Sequence, residues 1–210
     1  MKGKFIVFEG ADGSGKTTVL ELVRKELEKS GIRPVMTREP GGTILSEKIR
    51  DLLLDADHGD LTPEAEALLY AAARIQHVKE KILPAIQAGE LVICDRYIPS
   101  SLVYQGIARG LGVESVEELN RYALESINVD LTLYLAVDAA HADSRRSDRG
   151  QRDRLELEGD AFHKSVREGY EAVVKSKKNR YNIYTIDANQ SAEAVCQDCL
   201  VQIRMVLQEE

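Results

Sequence analysis

Gly10, Gly15, Lys16 and Thr17 stand in the spacing G-x-x-x-x-G-K-[ST], inside the segment FEGADGSGKTTVLEL at residues 8–22. Glycines there let successive backbone N–H groups turn inward on an anion, and the N-terminus of a following helix adds positive potential. Lys16 is long enough to reach β- and γ-phosphates, and the Thr17 hydroxyl is a ligand for Mg²⁺. The pattern predicts a bound nucleoside triphosphate with Mg²⁺. Asp12 is out of place in such a loop, because a carboxylate repels the anion that the loop attracts.

What happens to the triphosphate must be read elsewhere. A guanine-nucleotide switch would carry an N/T-K-x-D base-reading segment, and the sequence has none. At 210 residues the chain is short for a motor or partitioning ATPase, and the size suits a kinase acting on a small acceptor. If that acceptor is a phosphate monoester, its second pKa of about 6 leaves the attacking oxygen anionic at neutral pH. Such an enzyme needs no general base, only cations that bring two polyanions together.

Arginines occur where that chemistry would want them. Asp95-Arg96-Tyr97 follows an apolar run, which would set Arg96 at a strand end with Asp95 facing the metal, and Arg38 follows another run in TREPGGT. Either alone would also suit an ordinary surface ion pair. A third group is denser: Arg145, Arg146, Arg149, Arg152 and Arg154 fall within ten residues of an acidic protein. No aromatic residue is interleaved for base stacking, which disfavours an RNA-binding patch. An arginine-rich lid over about residues 142–159, closing on the transferring phosphoryl group, accounts for both the clustering and the loop character.

These groups need a scaffold. Five β-rich, largely apolar runs read as strands: Lys4–Glu9, Pro34–Thr37, Leu91–Asp95, Leu131–Asp138 and Asn182–Asp187. Their continuous apolar character is that of strands covered on both faces. Helical spacing lies between them. Lys16–Lys29 ends at Gly31, Thr62-Pro63 caps a helix through EAEALLYAAARIQH, and Ser115 with Glu118 forms a capping box ahead of Leu119, Ala123 and Ile127. Asp160 caps a helix carrying Phe162, Val166, Tyr170 and Val173, and a last helix runs from Ser191. Alternating strands and helices predict an α/β sandwich of three layers, with a parallel five-stranded sheet and ligands at the strands' carboxyl ends. One domain spanning 1–210 is expected.

Composition narrows the setting. Lys plus Arg 28 against Asp plus Glu 35 gives a net charge of −7, which argues against a surface devoted to nucleic acid or anionic membrane. No apolar stretch approaches a membrane span, and the run after MKGK is too short for a signal peptide, so a cytoplasmic protein is expected. Cys94, Cys196 and Cys199 do not make a disulfide framework. Cys196 and Cys199 form a C-x-x-C, but they share a helical face with Leu200, Ile203 and Leu207 and read as core.

Taken together, FEGADGSGKTT, TREPGGT, YAAAR, DRYIPSSLVYQG and the arginine-rich segment ending in DRLE make the chain resemble bacterial thymidylate kinases along essentially its whole length. The resemblance implies transfer of the γ-phosphoryl group of ATP to dTMP, giving dTDP and ADP with Mg²⁺, in a homodimer. Gly10, Ala11, Asp12, Gly13, Ser14, Gly15, Lys16, Thr17 and Thr18 would hold ATP, with Thr17 and Asp95 on the metal. Lys16 and Arg96 would act on the phosphoryl group with a lid arginine drawn from Arg149, Arg152 and Arg154. Arg38 and Arg50 would approach the nucleotide, thymine would stack on Tyr70 and meet Arg74 and Gln105 with Ser101 nearby, and Tyr97 and Tyr104 would close the pocket beside the deoxyribose. Asp12 would accept from the 3′-hydroxyl of dTMP. The chain departs from many relatives at Tyr70, where they carry Phe, and at Asp12, where many bacterial ones carry Glu; Gly13 leaves the phosphate loop without an arginine, as in the subtype whose catalytic arginine sits in the lid. A kinase for another nucleoside monophosphate and a non-catalytic nucleotide-binding module are the competing readings.

Overall fold

A computed structural model describes residues 3–57, 60–142 and 153–208. Five parallel strands form its sheet: β1 (Lys4–Glu9), β2 (Val35–Arg38), β3 (Leu91–Asp95), β4 (Leu131–Ala136) and β5 (Ile183–Asp187), in the order β2-β3-β1-β4-β5. The expected α/β sandwich is therefore present. β1 lies at the centre, paired with β3 through Ile6↔Ile93 and with β4 through Phe8↔Leu133.

Alternate side chains of the inner strands β1, β3 and β4 are buried on opposite faces, which is why these strands read as unbroken apolar runs, while the edge strands β2 and β5 are partly exposed. Ile6, Phe8, Ile93, Leu133 and Leu135 pack with Val23 and Leu27 of α1 (Lys16–Lys29). The same core takes Cys196, Cys199 and Ile203 of the last helix, where the two thiols are buried as expected. Phe5, Val7, Val92 and Cys94 point the other way, towards helices that include α2 (Ile44–Leu54) and α3 (Pro63–His77).

Helix α3 is capped by Thr62, whose Oγ1 accepts from Ala65 N–H at 3.3 Å, and Pro63 opens its first turn. It runs on through a π-helical turn, Val78–Ile82, into α4 (Leu83–Gln87). After β3, α5 (Ile98–Ser101) continues as a π-helical stretch, Leu102–Ala108. This stretch and α2 have no counterpart in the sequence reading. π-Helical turns gather at functional sites, because the extra residue re-aims side chains across a helix.

Several local expectations shift. β2 starts one residue later than expected, and β4 stops two residues short of Asp138. The Ser115 capping box does not form. Gly112, with φ 87°, occupies the cap before α6 (Val113–Leu119), and Ser115 falls inside the helix. The pattern running on to Ile127 breaks at Asn120 into a second helix, α7 (Arg121–Ser126). Gly159 rather than Asp160 caps α8 (Asp160–Lys177), leaving Asp160 as the acid of its first turn. Ser191 Oγ accepts from Ala194 N–H at 3.2 Å ahead of α9 (Ala192–Gln208).

Candidate active site

The phosphate loop joins β1 to α1. Gly15 is the residue before the helix, left-handed at φ 83°, and no side chain caps the first turn. The N–H groups of that turn are thus available to an anion. Lys16 Nζ donates to Gly10 O at 2.8 Å. Burial, then the charge of Arg96, pushes its pKa down to about 8 against the pull of Asp95 and Asp12. Gly13 has φ 86°, and a Cβ there would lie 2.3 Å from the carbonyl oxygen of Ala142. Ser14 N–H donates to Ala11 O at 3.1 Å, while Thr17 and Thr18 are exposed at the start of α1.

Asp95 and Thr17 line the same cleft as this loop. Asp95 Oδ1 is buried, and among the described residues nothing donates to it. An orphaned carboxylate oxygen and a threonine hydroxyl in one cleft are hard oxygen donors of the kind that suits Mg²⁺.

A second cavity adjoins the first. Asp12, Arg50, Tyr70, Arg74, Arg96, Ser101, Tyr104 and Gln105, all expected at the acceptor, line it. Asp12, Arg50, Arg96 and Asp153 belong to the walls of both the cavity and the phosphate-loop cleft. Asp153 was not anticipated. Its carboxyl pKa is raised, first by burial, with the hydrogen bond from Glu156 N–H opposing.

Arg96 carries the junction. Its backbone is left-handed at φ 68°, rare for a side chain of that size, and strain of this kind gathers at functional positions. Its N–H donates to Phe8 O at 2.9 Å, which ties the turn to β1. Nη2 donates to Asp12 Oδ1 at 2.7 Å, and Nη1 donates to Tyr170 Oη at 2.9 Å and Ser100 Oγ at 3.2 Å. Tyr104 Oη donates to Asp12 Oδ2 at 3.1 Å, with the Arg96 guanidinium 5.3 Å from the Tyr104 ring centre.

Beneath lies Glu9, which the sequence reading passed over. It accepts from Tyr97 N–H at 2.8 Å, Ser100 N–H at 3.1 Å, Ser100 Oγ at 2.6 Å and Tyr170 Oη at 2.9 Å. Burial raises its pKa, and the Arg96 charge and these donors oppose the rise. A second unforeseen acid, Glu39, accepts from Arg74 Nε at 2.6 Å and pairs with His77 Nδ1 at 3.1 Å. His77 Nε2 meets Thr37 Oγ1 at 2.7 Å, and Asn120 Oδ1 accepts from Arg74 Nη1, so Arg74 is braced from two sides. Arg50 donates through Nη1 to Pro40 O at 2.9 Å.

Three expected residues are placed away from the cavity wall. Tyr97 does not line the cavity; its fully buried ring packs edge-on to Phe5, with centroids 5.2 Å apart, because the left-handed turn at Arg96 directs the next side chain into the core. Arg38 is outside the cavity, exposed and in a two-pronged ion pair with Glu47 at 2.8 and 3.0 Å. Arg154 is buried, donating through Nε to Leu53 O at 2.9 Å and through Nη2 to Glu66 Oε2 at 2.7 Å, so it ties the end of the arginine-rich segment to α2 and α3. Arg145, Arg146, Arg149 and Arg152 lie outside the described residues.

The chain that carries this arrangement of a phosphate loop, a strand-end arginine and a second cavity is similar to known proteins in sequence and in fold. Residues 8–199 match the family model for thymidylate kinase. A thymidylate kinase from Halalkalibacterium halodurans is 46% identical over 208 residues, covering 98% of each chain. One from Pelotomaculum thermopropionicum is 48% identical, covering 99% of this chain and 95% of its own. The crystal structure of thymidylate kinase from Ehrlichia chaffeensis superposes with a TM-score of 0.74 at 30% identity, covering 97% of this chain and all of that one. By sequence along nearly its whole length, and by fold, the chain belongs to the thymidylate kinase family.

Proposed function

We propose that this protein transfers the γ-phosphoryl group of ATP to dTMP, giving dTDP and ADP. The observation that carries the reading is the wall that the phosphate-loop cleft and the cavity share at Asp12 and Arg96, where donor and acceptor phosphates would meet. The loop N–H groups and Lys16 hold the triphosphate. Arg96 spans the acceptor phosphate and the transferring group, where fixed positive charge stabilises the loose transition state. The acceptor dianion attacks in line, so no side chain need remove a proton. Asp12 keeps the Arg96 guanidinium in register and accepts from the sugar 3′-hydroxyl. Tyr70 provides the stacking face for thymine, Arg74 and Gln105 its polar edge.

Thr17 and Asp95 would hold Mg²⁺, which supplies charge neutralisation on the phosphates. Arg149 and Arg152 are the lid cations left to reach the phosphoryl group once Arg154 is assigned to its buried ties. We further propose a cytoplasmic homodimer. Among the described residues no helix is long and apolar enough to cross a membrane. Ile44, Leu45 and Leu52 of α2 and Leu68 of α3 are exposed on helices that pack together, an apolar surface suited to a second copy.

A panel of nucleoside monophosphates with ATP and Mg²⁺ tests the activity. dTMP should be turned over best. Preferred use of dCMP, dGMP or AMP would make this a kinase for another monophosphate, and ATP binding without acceptor-dependent ADP release would make it a silent binding module. Sedimentation should give the mass of two chains.

A further inference from the structure

Glu66 of α3 is fully buried and does not line the cavity, yet it governs a side chain that does. Its Oε2 accepts from Arg154 Nη2 at 2.7 Å, with Arg109 Nη2 at 3.3 Å. Its Oε1 accepts from Gln105 Nε2 at 2.8 Å. A carboxylate paired with two guanidiniums has acceptor oxygens only, so the Gln105 amide must turn its nitrogen to Glu66. The reverse orientation would set two acceptors face to face at a site that is 1% exposed on the glutamine and 0% on the glutamate. Nothing among the described residues donates to Gln105 Oε1. Gln105 belongs, with Tyr70, Arg74 and Ser101, to the part of the cavity wall that the phosphate-loop cleft does not share, which is where the base must lie.

We propose that Glu66 is a specificity-determining positioning residue: by fixing the sense of the Gln105 amide, it presents a carbonyl acceptor to the base and selects a pyrimidine with an N–H donor at N3. Thymine and uracil carry that hydrogen, whereas the N3 of cytosine is an acceptor and would face the Gln105 oxygen unpaired. The inference rests on the cavity being the dTMP site.

The test compares dTMP, dUMP and dCMP on Glu66→Gln, using inhibition constants where turnover is too slow. Glutamine keeps an acceptor for Arg154 and offers an N–H to a reversed Gln105 amide. The preference for dTMP over dCMP should fall by about tenfold or more, the scale of one mismatched buried hydrogen bond. The preference for dTMP over dUMP should stay as it is, since the two bases share that edge. No change in either ratio, or an equal fall in both, overturns the proposal; the latter is what loosened packing alone would give. Gln105→Leu separates the underlying reading. If it leaves the KM for dTMP unchanged, the cavity is not the base site, whereas a raised KM with unmoved ratios in Glu66→Gln removes the role of Glu66 alone. Should Glu66→Gln fail to fold, the wild-type protein decides. The Gln105 side-chain amide, assigned by ¹⁵N NMR through its loss in Gln105→Leu, should exchange with solvent far more slowly than an exposed one such as Gln87. Exchange at the exposed rate overturns the proposal.

Discussion

Arg96 Nη2 and Asp12 Oδ1 meet at 2.7 Å across 84 positions of sequence, at the one wall that the phosphate-loop cleft shares with the second cavity. The pair gives the carboxylate in an anion-binding loop its own cationic partner: Asp12 is held by the Arg96 guanidinium and the Tyr104 hydroxyl. Arg96→Ala should lower kcat by about 10²–10³-fold, the usual cost of one transition-state cation, with ATP affinity retained. Asp12→Ala should raise the KM for dTMP and lower kcat, each by about tenfold, again without loss of ATP binding. Steady-state kinetics and ATP calorimetry on both variants check this, and unchanged dTMP kinetics in Asp12→Ala would make the residue incidental.

Lys16 gives a pH signature. Its pKa of about 8 means that the free protein loses this cation as pH rises through 8. The kcat/KM for ATP, which reports the free enzyme, should therefore fall by about tenfold per pH unit above that point. A bound triphosphate favours the protonated amine, so the corresponding limb in kcat should lie at higher pH. Lys16→Arg, which stays charged, should show neither limb in this range. A flat kcat/KM profile to pH 9.5 in the wild type would contradict the assignment.

The arginines of the DRLE-terminated segment should divide into two kinds. Arg154→Ala removes a guanidinium from buried Glu66 and should cost about 3 kcal/mol of stability, read as a lowered urea midpoint. Arg149→Ala with Arg152→Ala should instead depress kcat and leave that midpoint in place. Equal effects of the two variants on stability would return all three residues to one class.

Metal dependence should separate the catalytic site from the cysteines. EDTA should stop turnover, and added Mg²⁺ should restore it, with little change in melting temperature. A zinc-selective chelator should leave both activity and melting temperature alone, since Cys196 and Cys199 are buried thiols whose pKa values burial raises, that of Cys199 to about 12. A lowered melting temperature with that chelator would reopen C-x-x-C as a metal site.

Much of the scaffold was legible because it rests on local signals. Apolar strands with both faces covered, Thr62-Pro63 and the glycines of the phosphate loop all declare themselves within a few residues. What escaped depends on partners far along the chain. Glu9, Glu39 and Glu66 look like ordinary acids in sequence, yet their partners lie 88 to 161, 35 to 38 and 39 to 88 positions away, and only folding shows them buried. Tyr97 was expected beside the cavity by resemblance alone, and nothing in its own neighbourhood of sequence shows that the left-handed backbone at Arg96 is followed by a ring packed on Phe5. Arg154 reads as one more arginine of a charged segment, and its ties to Leu53 O and Glu66, which draw its guanidinium into the α2–α3 base, are visible only in the fold. Ser115 lost its cap to Gly112, whose extended, positive-φ turn starts the helix earlier than side-chain chemistry alone suggests.

Gly13 sets a limit on the evolutionary routes open to this loop. A side chain there must overcome both the left-handed backbone and a clash with Ala142 at the entry to the arginine-rich segment. A single replacement such as Gly13→Arg, which would set a cation in the phosphate loop, meets both obstacles at once on this backbone. A chimera that exchanges only the phosphate loop should therefore be less stable than one that also exchanges the main chain around Ala142.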